Sequence, residues 1–282
     1  MKTKLTIIGT LAVLLAGGLI AQETPAATTA ASPSARAPSG GEPIISGVSR
    51  RIHSKVLGEE RTILIRVPAN YNRGKKRFPV LYKLDGGRTV FLQTVGTVEY
   101  LADWSLAKDC IVVGIENTDR MRDMWEGEDN FRQFIRTELI PFIDQNYRTN
   151  GFRILCGQSA SSVFALKSFL KEPDLFDAYV LGSFGLYKQE LADDFQKAMN
   201  GNPNLKKLGK KYLFVTNGKK DALDKDGAVA KRGAQFLETL RQVVPASVLI
   251  ESRYYEDEGH VPFPFMYDGL KWLRSCEKAA AK

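Results

Sequence analysis

The feature that most constrains this chain is a repeated alternation. Short apolar runs rich in Val, Ile, Leu and aromatic residues are followed by stretches with helical spacing. Strand-like runs are read at Gly47–Leu57, Arg61–Val67, Phe78–Leu84, Cys110–Ile115, Phe152–Cys156, Ala178–Gly182, Lys211–Thr216 and Ser247–Tyr255. The first two, separated by Gly58, Glu59 and Glu60, have the pattern of a hairpin. Helical spacing is read at Asn130–Tyr147, Ser161–Leu170, Lys188–Met199, Ala228–Val243 and Pro264–Cys276. It is clearest in the first, where Phe131, Phe134, Ile135, Leu139, Phe142 and Ile143 share one stripe and Pro141 is expected to kink the last turns. Strand followed by helix, repeated, predicts an α/β fold: a mostly parallel central sheet, helices on both faces and an N-terminal antiparallel hairpin. No internal repeat is present. One domain is expected over residues 44–276, with residues 277–282 as a frayed tail.

Composition narrows the function classes. With 44% hydrophobic and 26% charged residues in 282, the chain is not disordered along its whole length. Two histidines and three cysteines rule out a multi-zinc architecture and a disulfide-dense scaffold. Residues 1–21 place Lys2 and Lys4 before an apolar stretch from Leu5 to Leu15 and then small residues, the layout of a secretory signal peptide. An uncleaved N-terminal anchor is the alternative; a lipoprotein would need a cysteine at the cleavage point, and none is there. Residues 22–43, rich in Ala, Thr, Pro and Ser, read as a flexible linker. The mature protein is therefore expected to be exported, periplasmic or secreted, with no membrane span once the leader is removed.

Removing Lys2 and Lys4 takes the formal net charge from +8 to +6. The one dense basic cluster, Lys206, Lys207, Lys210 and Lys211, lacks interleaved aromatics and reads as a solvated face rather than a nucleic-acid groove. Cys110 begins one strand and Cys156 ends another, so in a parallel sheet they lie at opposite ends and cannot form a disulfide; Cys276 sits at the far end of the last helix.

The segment RILCGQSASSVFAL, residues 153–166, carries the sharpest chemical signal. A β run enters Gly157, Ser159 stands at the turn, and a helical pattern follows at once, which is the context of a nucleophile elbow. Gly157 and Ala160 are small enough for strand and helix to approach, and Ser161 replaces the second glycine of G-x-S-x-G. The alternative is a serine-rich helix start in which Ser159 or Ser161 merely caps. A serine nucleophile needs a base. His53 lies in the hairpin, whereas His260 follows the last strand, where the base belongs in a Ser, Asp, His chain order. The acid is expected in the loop after the Lys211–Thr216 strand, with Asp221 first and Asp224 and Asp226 as rivals. Oxyanion donors are expected from the N–H groups of Ala160 and of Gly87, the latter preferred to Gly86 in a segment that could also be an ordinary Asp-Gly turn.

Several stretches together resemble the putative-esterase (esterase D-like) family of α/β hydrolases, which includes siderophore (enterobactin-type) trilactone esterases. They are Tyr82–Gly86 (YKLDG), Val112–Asp123 (VVGIENTDRMRD), Phe134–Asp144, Phe164–Leu166, Pro173–Tyr179 and Val261–Leu270. The resemblance covers nearly the whole domain and implies an α/β hydrolase that uses a serine for ester hydrolysis, with no metal and no cofactor. Two departures stand out. The family's elbow usually reads G-H-S-x-G-G, whereas Gln158 stands for the histidine and Ser161 and Ser162 for the glycines. The family's final loop is typically H-G-S-V-P, so that Glu258 occupies the histidine position and His260 the serine position. Either the loop is set so that His260 swings in, or the base is lost.

The expectation is an exported serine esterase acting on a small-molecule or polymer-linked ester. A degenerate, ligand-binding hydrolase fold and an acyltransferase to an alcohol or sugar are the alternatives. Arg88, Arg120 and Arg122 lie in loops at the sheet edge where ligands bind, and could favour an anionic substrate; Arg122 and Asp123 could equally form a structural ion pair.

Overall fold

A computed structural model describes residues 44–280; the expected signal peptide (1–21) and linker (22–43) lie outside the described residues. β1 (Val48–Ser54) and β2 (Glu59–Arg66) pair antiparallel, and β2 pairs antiparallel with β4 (Ile111–Ile115). Every later pairing is parallel: β4 with β3 (Phe78–Lys83), β3 with β5 (Thr149–Gln158), then β6 (Ala178–Gly182), β7 (Lys211–Gly218) and β8 (Val248–Tyr255). The order is β1-β2-β4-β3-β5-β6-β7-β8. Strands β3, β4, β6 and β7 are buried at every residue, which is why their apolar runs show no alternation. The edge strand β1 is largely exposed and carries Arg50 and Arg51, charges that discourage pairing with another sheet.

Side chains alternate across each strand and so feed two cores. On one face Leu81, Val112, Ile154 and Phe214 pack under α1 (Arg88–Asp103) and α7 (Phe265–Ala280). On the other, Tyr82, Val113, Leu155 and Tyr179 pack under α2 (Glu128–Phe134), α3 (Ile140–Asn146), α4 (Ala160–Lys171), α5 (Gln189–Met199) and α6 (Ala228–Val243). The parallel strands all deliver their following loops to one carboxyl-terminal edge, where ligands bind in open α/β sheets.

Four expectations need correction. The helix read at Asn130–Tyr147 is α2 and α3 joined by a π-helical turn, Ile135–Leu139, and Pro141 enters at the start of α3. In a regular α-helix the proline ring would clash with the carbonyl four residues back, here that of Thr137, which lies inside the widened turn that precedes the proline. Helix α1 has no counterpart among the expected helices, although Phe91, Thr94, Val95, Val98 and Leu101 are buried at helical spacing. The tail does not fray at residue 277: α7 runs to Ala280, and Glu277 bonds Lys108 and Arg274. Lys211 is no part of a solvated face. It is buried, donating to the Phe176 carbonyl at 2.9 Å and pairing with Asp177. All three cysteines are free, with Cys110 and Cys156 buried.

Candidate active site

The end of β5 turns into α4 through a single residue in a conformation that side chains rarely adopt: Ser159 has φ 55° and ψ −125°. The turn is tight because Gly157 has no side chain; a Cβ there would lie 2.6 Å from the Ser161 carbonyl oxygen. The Ser159 N–H donates to the Gly182 carbonyl at the end of β6, fixing the turn against the neighbouring strand. Ser159 makes no side-chain cap on α4, so the capping alternative does not describe it. Its Oγ instead lies 2.9 Å from His260 Nε2. His260 Nδ1 lies 2.9 Å from Asp221 Oδ2.

The three expected residues are therefore in one hydrogen-bonded row. Asp221 is buried, and its other oxygen accepts the Leu223 N–H at 2.9 Å. Burial raises its carboxyl, but the hydrogen bonds from His260, the Leu223 N–H and Tyr187 outweigh it and hold the pKa below the ordinary range. The rivals are used elsewhere: Asp224 accepts the Val229 and Ala230 N–H groups at the start of α6, and Asp226 accepts that of Ala228. Tyr187, which no sequence signal singled out, places its hydroxyl 3.2 Å from both Asp221 Oδ2 and His260 Nδ1. Burial, then the Asp221 charge, push its phenol well above the ordinary value, so it remains a donor.

The loop carrying His260 is set by contacts that a shift in sequence register could not reveal. Val261 takes a positive φ of 59°, and its N–H donates to Ser183 Oγ at 2.7 Å. Glu258 accepts the Phe263 N–H at 3.0 Å, a side-chain bond that spans His260 in the loop. The Glu258 carbonyl accepts the Lys220 N–H, and a Cβ on Gly218 would meet that carbonyl oxygen at 2.2 Å. His260 thus swings in. His53 pairs with Glu60 in the hairpin, away from this row.

Two helix starts converge beside Ser159. The ends of β3 and β5 are paired at Lys83 and Cys156, and the next residues lead into α1 and α4. The Gly86 N–H is bonded to the Ile115 carbonyl, and a Cβ on Gly86 would lie 2.5 Å from Gly114 Cα. Gly86 is thus a packing glycine whose donor is occupied. The N–H groups of Gly87 and Ala160 have no acceptor among the described residues and sit at the positive ends of two helices.

Asp85 ties this edge together. Its carboxylate accepts Arg120 Nε and Nη2 at 2.7 and 3.0 Å, Asn117 Nδ2 at 2.7 Å and the Ser161 hydroxyl at 2.8 Å. Ser161 also accepts the Gln158 N–H, so the serine standing for a family glycine links the elbow to the loop after β3. Arg120 is accordingly committed to Asp85. Arg122 pairs with Glu59 and Asp123, the structural ion pair, and neither arginine contacts Ser159, His260 or Asp221. Arg88 is the first residue of α1, exposed beside Gly87, rather than part of a loop.

The family profile described as "Putative esterase" matches residues 54–229, more than half of the chain and including the elbow and Asp221. The chain belongs to this family. A curated relative, the uncharacterized protein YjcH of Bacillus subtilis (strain 168), is 30% identical over 144 residues, 48% of this chain; the chain spans 60% of that relative's length. Among solved structures, an IroE-like serine hydrolase from Shewanella oneidensis superposes with a TM-score of 0.72 at 24% identity, covering 81% of this chain and 80% of the other. The siderophore hydrolase EstA from Aspergillus nidulans gives 0.62 at 18% identity, covering 86% and 98%. At these identities the superpositions establish the shared α/β fold. Within the putative-esterase fold, the elbow and the two helix starts occupy the carboxyl edge of the sheet, as described above.

Proposed function

We propose that this putative-esterase family member is a serine esterase that hydrolyses a carboxylic ester through an acyl-enzyme on Ser159. The observation that carries this is the row from Ser159 Oγ to His260 Nε2 to Asp221 Oδ2, each link 2.9 Å, built on an elbow held at positive φ. With Nδ1–H donated to Asp221, Nε2 is the acceptor that faces the hydroxyl. Ser159 Oγ attacks the ester carbonyl carbon while its proton passes to His260 Nε2. The carbonyl oxygen takes the negative charge and is stabilised by the N–H groups of Ala160 and Gly87 at the ends of α4 and α1. Collapse breaks the carbon–oxygen bond to the alcohol, which leaves with the proton from His260. Water then gives a proton to His260 and attacks the acyl carbon, and Ser159 recovers its proton as the acid departs.

Export is part of the same proposal and rests on the basic, then apolar, then small-residue layout of residues 1–21. Among the described residues no helix is long and apolar enough to cross a membrane. The test is fluorophosphonate labelling of the purified protein read by intact mass. Stoichiometric labelling that maps to Ser159 and disappears in His260→Ala is the expected result. A folded protein that does not label overturns the reading.

A further inference from the structure

Beside the candidate nucleophile runs a cleft of about 880 Å³ between α1 and the Val261–Tyr267 segment. On the α1 side it follows one helical face from Val90 to Tyr100, a length of about 15 Å at 1.5 Å per residue. Thr94 and Thr97 on that face turn their hydroxyls back onto the Val90 and Gln93 carbonyls, so those donors are used within the helix. Phe263, Phe265 and Tyr267 line the opposite side. In this largely apolar setting Gln158, the residue immediately before Ser159, also lines the cleft, together with Lys83.

Lys83 lies on β3, 1% exposed, and makes no ion pair among the described residues. Its Nζ donates to the Leu84 carbonyl at 3.1 Å and to Gln158 Oε1 at 3.3 Å. As an ammonium Lys83 can only donate, and in that form this contact sets the orientation of the Gln158 amide: Oε1 faces Lys83 and the NH₂ group faces away. That NH₂ has no acceptor among the described residues, yet it is not one of the sealed polar atoms without a partner. Asp85 lies near enough to be felt by Lys83, but it is already met by Arg120, Asn117 and Ser161.

We propose that this cleft holds a part of the substrate bearing a carboxylate, that Gln158 determines this specificity through its amide NH₂, and that Lys83 is the positioning residue that aims the amide and supplies positive charge beneath it. The proposal rests on Ser159 being the nucleophile for the ester that the same substrate carries. An apolar-walled cleft gives a charge-assisted hydrogen bond more weight than water would, which favours an anionic over a neutral acceptor. Burial pulls the Lys83 ammonium below the ordinary lysine range, and a carboxylate in the cleft opposes that shift.

Binding to the Ser159→Ala protein tests this without turnover. Monomethyl succinate, glutarate and adipate are each titrated by calorimetry against the methyl ester of the unsubstituted acid of equal chain length. The best half-ester is expected to bind at least about tenfold more tightly than its neutral counterpart, the scale of one charged hydrogen bond. In Gln158→Leu and in Lys83→Met, made in the same background, that preference falls to less than about threefold while the neutral ester still binds. Equal affinities in the parent, persistence of the preference in both variants, or loss of both ligands in Lys83→Met overturns it. Fluorophosphonate labelling of the Ser159 protein reports separately on the nucleophile, so failure of the cleft assignment and failure of the esterase reading are distinguishable.

Discussion

Asp221 Oδ2 meets two groups, His260 Nδ1 and the Tyr187 hydroxyl, while Oδ1 takes the Leu223 N–H. The carboxyl is held below its ordinary pKa despite burial, chiefly by the hydrogen bonds from His260 and the Leu223 N–H. Asp221→Asn keeps the size but can present an NH₂ to Nδ1 and select the wrong tautomer. Its kcat for an aryl ester is expected to fall by about 10³–10⁴-fold with KM little changed. Asp224→Asn, which weakens the cap on α6, should lower stability and leave turnover near that of the parent. The reverse pattern in steady-state kinetics would reassign the acid. Asp221 was legible because it is the first carboxylate after a strand whose position in the chain order is meaningful. Tyr187 was not, because nothing local in the β6–α5 loop announces a contact with residues 34 and 73 positions away. Nor does any sequence pattern announce the positive φ of Val261 that brings His260 inward.

At the scale of elements, a four-charge cluster fastens the start of β2 to the π-helical turn Arg122–Glu126 beyond β4. Arg61, with no exposed surface, reaches Asp123 at 2.6 Å and Glu59 at 2.9 Å, and Arg122 bridges the same two carboxylates. The hydrogen bond from Arg122 is the main reason that the Glu59 pKa lies at about 2 instead of 4.5; burial opposes it and Arg61 assists. A folded-state pKa depressed in this way contributes stability that is complete above the unfolded value and is lost as pH falls through the folded one. Glu59→Gln should therefore be less stable than the parent at pH 7, with the gap closing between about pH 4.5 and about pH 2. Urea denaturation across that range measures it, and a gap that does not change with pH would remove Glu59 from the cluster's energetics. Strands were the most legible elements because buried parallel strands need unbroken apolar runs. Helix α1 was not, because Thr89, Val90, Thr94, Val95, Gly96, Thr97 and Val98 favour strand or coil locally, and tertiary packing under β3 and β4 overrides that preference.

Across the whole molecule, strain and packing are distributed unevenly. Five described non-glycine residues have positive φ, and four of them, Asp85, Ser159, Ser183 and Val261, follow the carboxyl ends of β3, β5, β6 and β8. The two cores beneath hold that edge in conformations it would not adopt alone. Comparing two variants at one position isolates the strain. Ser159→Ala and Ser159→Gly both lose the hydroxyl and its bond to His260, but only glycine relaxes at φ 55°. Ser159→Gly should be the more stable of the two by about 1 kcal/mol, even with the larger unfolded-state entropy of glycine counted. In a chain of this size that is a Tm difference of about 2–4 °C. Ser168 gives the opposite sign as a control: it lies inside α4, where the backbone is helical, and Ser168→Gly should melt below Ser168→Ala. Calorimetry of the four variants decides the matter. If glycine is the less stable choice at both positions, the elbow is not strained, and the positive φ at Ser159 is simply the geometry of the turn.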